Sequence, residues 1–158
     1  MIIKTRHFLI PTAAIALLTL TACGKTGSDA AYDREKVVAI MTNLDKQADV
    51  IWGNSGSEWD SEGEHDLFPT SEAEWQPLAK AGEEMVLIAQ DLRKQINKDD
   101  PRSEAWIAYA DGMVEVSQKL VMAAQEQDKK AIFDDGGVLY QVCTACHGTF
   151  PTPEEQAK

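Results

Sequence analysis

Three residues near the C-terminus have the types and spacing needed to hold a haem covalently. Cys143, Cys146 and His147 stand at positions i, i+3 and i+4, so on a helix their side chains leave from one face. Two thiols placed in this way can bond to the two vinyl groups of one porphyrin, while the imidazole reaches its iron. Cys-x-x-Cys-His is the signature of c-type haem attachment. The motif therefore predicts one covalent haem c with His147 as an iron ligand.

Three other chemistries use the same residue types: a disulfide, a thioredoxin-like dithiol and a zinc site. A thioredoxin-like pair lies at the start of a helix that follows a strand, whereas this motif ends a helical pattern. Zinc requires further ligands at matching spacing. Outside residues 1–22, the only histidine besides His147 is His65. Haem attachment is therefore the favoured interpretation.

The third cysteine follows a segment unlike the rest of the chain. Lys4 and Arg6 precede a 13-residue apolar run from Phe8 to Leu20. This run is too short to cross a hydrocarbon core of about 30 Å as a helix, but it matches the apolar centre of a secretory signal. The run ends in Leu-Thr-Ala-Cys, which resembles the bacterial lipoprotein signal, in which the cysteine is lipidated. Here that cysteine is Cys23.

These features predict that the protein is exported to the periplasm and held at a membrane by lipid on Cys23. Residues 1–22 would be the signal peptide and residues 23–29 a tether. Gly24 resembles the signal for delivery to the outer membrane, with the inner membrane as the alternative. Two other interpretations are an uncleaved anchor helix and ordinary cleavage near Ala22.

The chain is strongly acidic, with 15 basic and 26 acidic side chains and a net charge of −11. Residues 1–22 contain two basic residues and no acidic one, so the mature chain would carry −13. Nucleic-acid binding needs a basic surface, so nucleic acid is not an expected partner. An acidic domain instead attracts basic proteins, and we expect a redox partner with a basic face.

Apolar residues repeat every three or four positions in four stretches, which predicts an all-α chain of four helices. The first runs from Ala30 to about Trp52, the second starts at the capping box Ser71-x-x-Glu74, the third follows Asp100-Pro101, and the fourth begins near Asp128. Short connections predict that the last three helices run antiparallel to their neighbours. We therefore expect an antiparallel four-helix bundle over residues 30–150, with a C-terminal haem-attachment helix and a flexible tail at 151–158.

Two segments break the helical pattern. The connection from Gly53 to Thr70 is long, which is typical of a functional or mobile loop, and it shows no hairpin signal. Gly136 and Gly137 interrupt the fourth helix. Either they allow a close approach to the haem or to another helix, or the helix starts at Gly137.

A four-helix bundle that ends in a single haem-attachment motif resembles the cytochrome c′ family. The resemblance covers residues 30–150 and rests on helix order, on the motif, and on Tyr32 and Met41 in the first helix. It implies that His147 is the proximal iron ligand, that the first helix covers the opposite haem face, and that two copies can form a homodimer. One departure is Pro151, because the family usually has a basic residue at this position, four after the haem histidine.

In that family, the residue over the opposite haem face separates two functions. An apolar residue leaves five-coordinate iron that binds nitric oxide or carbon monoxide, and Val37 and Val38 are the candidates for it. A methionine gives an electron carrier, and Met41 is the only methionine on the first helix; His65 is a further candidate ligand. No nucleophile–base pair or carboxylate dyad is visible. We predict a non-enzymatic, membrane-tethered cytochrome for electron transfer, with gas binding as the alternative.

Overall fold

The computed structural model describes residues 31–152, and most of this part of the chain is helical. It contains helix α1 (Arg34–Trp52), strands β1 (Ser57–Asp60) and β2 (Gly63–Asp66), and helices α2 (Glu72–Leu92), α3 (Ser103–Glu126) and α4 (Lys129–Thr149). The predicted class, mainly helical with four helices, is confirmed. The predicted signal peptide, the tether with Cys23 and the last six residues of the tail lie outside the described residues.

Helix α1 begins at Arg34, four residues later than the sequence pattern predicted. Asp33 caps the helix, and its carboxylate accepts the Lys36 N–H at 3.2 Å. The preceding residues pair with the segment after α2 instead. Tyr32 forms a β-bridge with Ile96, and the Asn97 N–H donates to the Ala31 carbonyl at 2.6 Å. These contacts fix the described N-terminus beside the end of α2.

The capping box predicted at the start of α2 is present. The Ser71 side chain accepts a backbone N–H of the first turn, and the Glu74 carboxylate accepts the Ser71 N–H at 3.1 Å. The predicted start of α3 is displaced. Asp100 accepts the backbone N–H and the guanidinium of Arg102, so this carboxylate closes a turn and the helix begins only at Ser103.

The connection between α1 and α2 contains a β-hairpin, which the sequence did not predict. Strands β1 and β2 are antiparallel, with Asp60 opposite Gly63, whose φ of 125° requires glycine. Each strand has four residues, two of them carboxylates, and neither strand shows the apolar–polar alternation that identifies strands. A hydrogen bond of 2.9 Å between His65 Nε2 and Asp60 Oδ1 also joins the two strands.

The four helices enclose a common apolar core. Helix α2 packs against α1 and α3, α3 packs against α4, and α1 also touches α4. Side chains from all four helices are completely buried there, among them Ile51, Leu78, Met85, Leu120 and Leu139. Among the helices of residues 31–152, none combines the length and the apolarity that a membrane-crossing segment requires.

A smaller aromatic cluster lies where α1 and α3 begin and α4 ends. The Trp106 ring centroid is 4.9 Å from that of Tyr32 and 5.0 Å from that of Phe150. The indole N–H of Trp106 donates to the Leu92 carbonyl at 2.8 Å, which satisfies a carbonyl at the end of α2. This cluster therefore joins the ends of all four helices.

Helix α4 is continuous from Lys129, so the interpretation that it starts at Gly137 is wrong. Gly136 is buried against the end of α1. A Cβ added there would lie 3.6 Å from the Ile51 side chain, and the Trp52 indole N–H donates to the Gly136 carbonyl at 3.0 Å. Gly136 therefore contacts the end of α1, although an added Cβ would make only ordinary van der Waals contact there.

Candidate functional site

The C-terminal half of α4 forms one wall of an apolar cleft. Cys143, Cys146 and His147 all line this cleft, as their helical spacing requires, and Met41 of α1 lines it with them. Apolar and aromatic side chains of α2 and α3 complete the lining. The two thiols, the imidazole and the thioether therefore share one largely water-poor space.

Both thiols are partly buried and not joined in a disulfide. Burial raises the pKa of Cys143, with a further contribution from the Asp45 carboxylate, and burial raises the pKa of Cys146 to about 11. A thioredoxin-like pair has the opposite property, because a helix N-terminus lowers its thiol pKa. Here the pair lies near the C-terminal, negative end of α4. The site therefore does not favour dithiol redox chemistry.

His147 stands in the last turn of α4, and the chain leaves the helix at Phe150. The Arg102 guanidinium lies over the Phe150 ring, 5.1 Å from its centroid. A cation from the segment before α3 thus reaches this end of α4, although Pro151 occupies the position at which the family resemblance implies a basic residue.

Of the residues predicted for the opposite haem face, Met41 is the one that lines the cleft. Val37 is buried in the aromatic cluster, whereas Val38 is 54% exposed, and the cleft lining includes neither. His65 belongs to the hairpin, which contacts the start of α4 through the ion pair of Asp66 with Lys129 at 3.0 Å. The candidate His65 therefore lies at the end of α4 opposite to the motif.

Two side chains of α3 line the cleft although the sequence did not assign them to a site. Met113 is buried and contributes a second thioether. The Tyr109 hydroxyl shares a 2.9 Å hydrogen bond with Thr149 Oγ1. Both residues belong to the predicted apolar stripe of α3, but periodicity does not show which part of a stripe faces the core and which part faces a cleft.

The chemistry of this donor set fits a covalent haem. Two reduced thiols and an imidazole come from one helix, a thioether comes from each of two others, and the remaining lining is apolar. The enclosed volume is about 30 Å³, which is room for roughly one or two water molecules. Admission of a porphyrin therefore requires the lining side chains to move apart.

No protein-family model, curated protein or solved structure matches the chain. Within residues 31–152, no three or more histidine, cysteine, aspartate or glutamate side chains are grouped so that they could hold a metal ion. The argument for function therefore depends on the motif and on the cleft.

Proposed function

We propose that this protein is a membrane-tethered mono-haem c-type cytochrome that transfers electrons in the periplasm. Cys143 and Cys146 would attach the haem, and His147 would bind its iron. The observation that carries this proposal is that all three side chains line one apolar cleft together with Met41. The contacts among the helices also support an antiparallel four-helix bundle like that of the cytochrome c′ family.

The bound haem supplies one-electron chemistry through its ferric and ferrous iron. The chain's own residues would set the properties of that couple. The Met41 thioether, which lines the cleft together with His147, would be a second ligand to the haem iron, and histidine–methionine ligation raises the reduction potential. The apolar lining excludes water and disfavours the additional charge of ferric iron, which acts in the same direction.

Methionine ligation has more structural support than an open distal face. The gas-binding alternative requires Val37 and Val38 to form an apolar wall over the iron, yet neither lines the cleft. Met41 and Met113 both line it, so substitution of each methionine in turn can test which thioether binds the iron.

Absorption spectra of the ferric and ferrous holoprotein, with and without carbon monoxide, test this assignment. The wild type should be low-spin and indifferent to carbon monoxide. Met41→Leu keeps the side-chain volume and removes the sulfur, so it should give high-spin iron that binds carbon monoxide. Met113→Leu is the matched control and should keep the wild-type spectrum.

The opposite results would each correct the proposal. A low-spin spectrum lost in Met113→Leu but not in Met41→Leu would move the ligand to α3. A wild-type protein that is high-spin and binds carbon monoxide would establish the gas-binding alternative. A pyridine haemochrome assay that finds no covalent haem in the exported protein would refute the cytochrome function altogether.

A further inference from the structure

A second surface of α4 has apolar side chains that the core does not use. Phe133, Gly137 and Tyr140 stand at i, i+4 and i+7, so they share one face of the helix. The two aromatic residues are 56% and 60% exposed. With Trp52 and Gly136 they line an open groove of about 530 Å³, which we call the aromatic groove. This volume is within the range of sites that hold small molecules or partner side chains.

The Trp52 side chain at the floor of the aromatic groove is held by contacts with α4. The indole N–H of Trp52 is bonded to the Gly136 carbonyl, and its ring meets that of Tyr140 edge to face with centroids 6.4 Å apart. At Gly137 no atom lies within 4 Å of an added Cβ, so the helix surface stays open between the two aromatic side chains. An exposed aromatic surface of this kind is typical of a protein interface.

The border of the aromatic groove is acidic. Asp134 lines it, and the hairpin adjoins it, because an added Cβ at Gly56 would lie 3.3 Å from the Phe133 ring. The hairpin carries five carboxylates, four in the strands and one in the turn, and Trp59 is strongly exposed among them; the carboxylates are those of Glu58, Asp60, Glu62, Glu64 and Asp66. Lys129 pairs with Asp66 and Lys130 with Asp134, so these two carboxylates are balanced, and the excess negative charge beside the groove lies on the other carboxylates of the hairpin.

This charge distribution selects one kind of occupant. A second copy of the chain would bring a second set of carboxylates to the same border, and like charges across an interface oppose association. A protein with lysines and arginines around an apolar side chain would instead complement both the border and the aromatic floor.

We propose that the aromatic groove is the docking site of a basic redox partner protein. Tyr140 precedes Cys143 by three residues, about 4.5 Å along the helix axis, so the Tyr140 edge of the groove lies within one helical turn of the proposed haem attachment. The redox character of the partner depends on the proposed function, whereas the docking of a basic protein does not.

Calorimetric titration of the holoprotein with a small lysine-rich cytochrome c tests this surface, with an acidic flavodoxin as the control probe. The test variant combines Phe133→Ser and Tyr140→Ser. The matched control combines Leu87→Ser and Met122→Ser, which replace side chains of similar exposure, 63% and 53%, on α2 and α3. Circular dichroism and the haem spectrum establish that both variants are folded.

The wild type and the control variant should bind the lysine-rich protein with similar affinity, more weakly as salt increases, and should not bind the flavodoxin. The groove variant should bind about tenfold more weakly, and its rate of electron exchange in stopped flow should fall in parallel. Unchanged affinity of the groove variant, or no binding by the wild type at low salt, would overturn the proposal.

Sedimentation of the protein alone tests whether a second copy of the chain occupies the groove. A wild-type dimer that the groove substitutions dissociate would show that a second copy fills the groove, and the proposed partner would then be wrong. Calorimetry does not depend on electron transfer, so a protein without covalent haem would refute the cytochrome function while the docking result would stand.

Discussion

Gly82 and Gly112 show that glycine has opposite consequences on two neighbouring helices. A Cβ at Gly82 would lie 2.7 Å from the Val121 side chain and 3.2 Å from the Ser117 carbonyl, so α2 and α3 approach each other through this residue. At Gly112, in the middle of α3, an added Cβ would meet no atom within 4 Å. The first glycine is needed for packing, and the second weakens its helix.

We therefore predict that Gly82→Ala destabilises the protein by about 1–3 kcal/mol, because the two helices must separate. Gly112→Ala should stabilise it by up to about 1 kcal/mol through helix propensity. Urea unfolding followed by far-UV circular dichroism measures both changes. A Gly82→Ala variant as stable as the wild type would show that α2 and α3 can move apart without cost.

For individual residues, the sequence predicted part of the candidate site and missed the rest for a physical reason. Helical spacing alone places Cys143, Cys146 and His147 on one face, and the structure places them in one cleft. The orientation of a single residue toward a cleft depends on how neighbouring helices rotate and pack. Spacing therefore did not show that Val38 faces outward or that Met113 contributes to the cleft.

Among the elements, α2 has the start that is most clearly encoded. The Glu74 carboxylate accepts the Thr70 N–H at 2.7 Å, the Thr70 hydroxyl at 2.9 Å and the Ser71 N–H at 3.1 Å. These hydrogen bonds, the Thr70 N–H first, lower the pKa of Glu74 below its ordinary value of 4.5. A carboxyl whose pKa is lower in the folded state contributes stability above its unfolded pKa and loses it as pH falls through the folded pKa.

Acid should therefore weaken the wild type more than Glu74→Gln, and the difference should develop as pH falls below about 4.5. Urea midpoints between neutral and acidic pH measure this slope. Glu72→Gln, which makes the same charge change in the same turn, is the control and should follow the wild type. Parallel slopes for the wild type and Glu74→Gln would mean that the capping box does not contribute through its ionised form.

In the other elements, residues close in sequence predict some helix starts, but they do not predict structure that depends on pairing with distant residues. The capping box of α2 and the Asp128 cap of α4 involve residues within four positions of each other, and both helices begin where the sequence predicted. Helix α1 starts later than the sequence predicted because Tyr32 pairs with Ile96, more than sixty residues away. The hairpin was missed because its strands are short and charged, and backbone pairing with a tight turn forms it without an apolar face.

In the whole molecule, helix α4 contributes to both the cleft and the aromatic groove. The cleft lies on its C-terminal half, and the aromatic groove lies before the motif on the same helix. The described N-terminus lies at the cleft end, because Tyr32 stacks on Trp106, which in turn contacts Phe150 directly after α4. Anything attached upstream of Ala31 therefore connects to the molecule near the proposed haem.

This placement makes the predicted lipid anchor relevant to the proposed electron transfer, because both would involve the same end of the molecule. Cys23 precedes Ala31 by eight residues, which span at most about 30 Å when extended, so a lipid on Cys23 would hold the cleft end near the membrane. Exchanging residues 1–23 for a secretory signal without the cysteine should release the protein into the soluble periplasmic fraction with an unchanged haem spectrum. The wild type should stay with the membranes and incorporate labelled palmitate. A protein that stays membrane-bound after the exchange would show that something other than Cys23 holds it there.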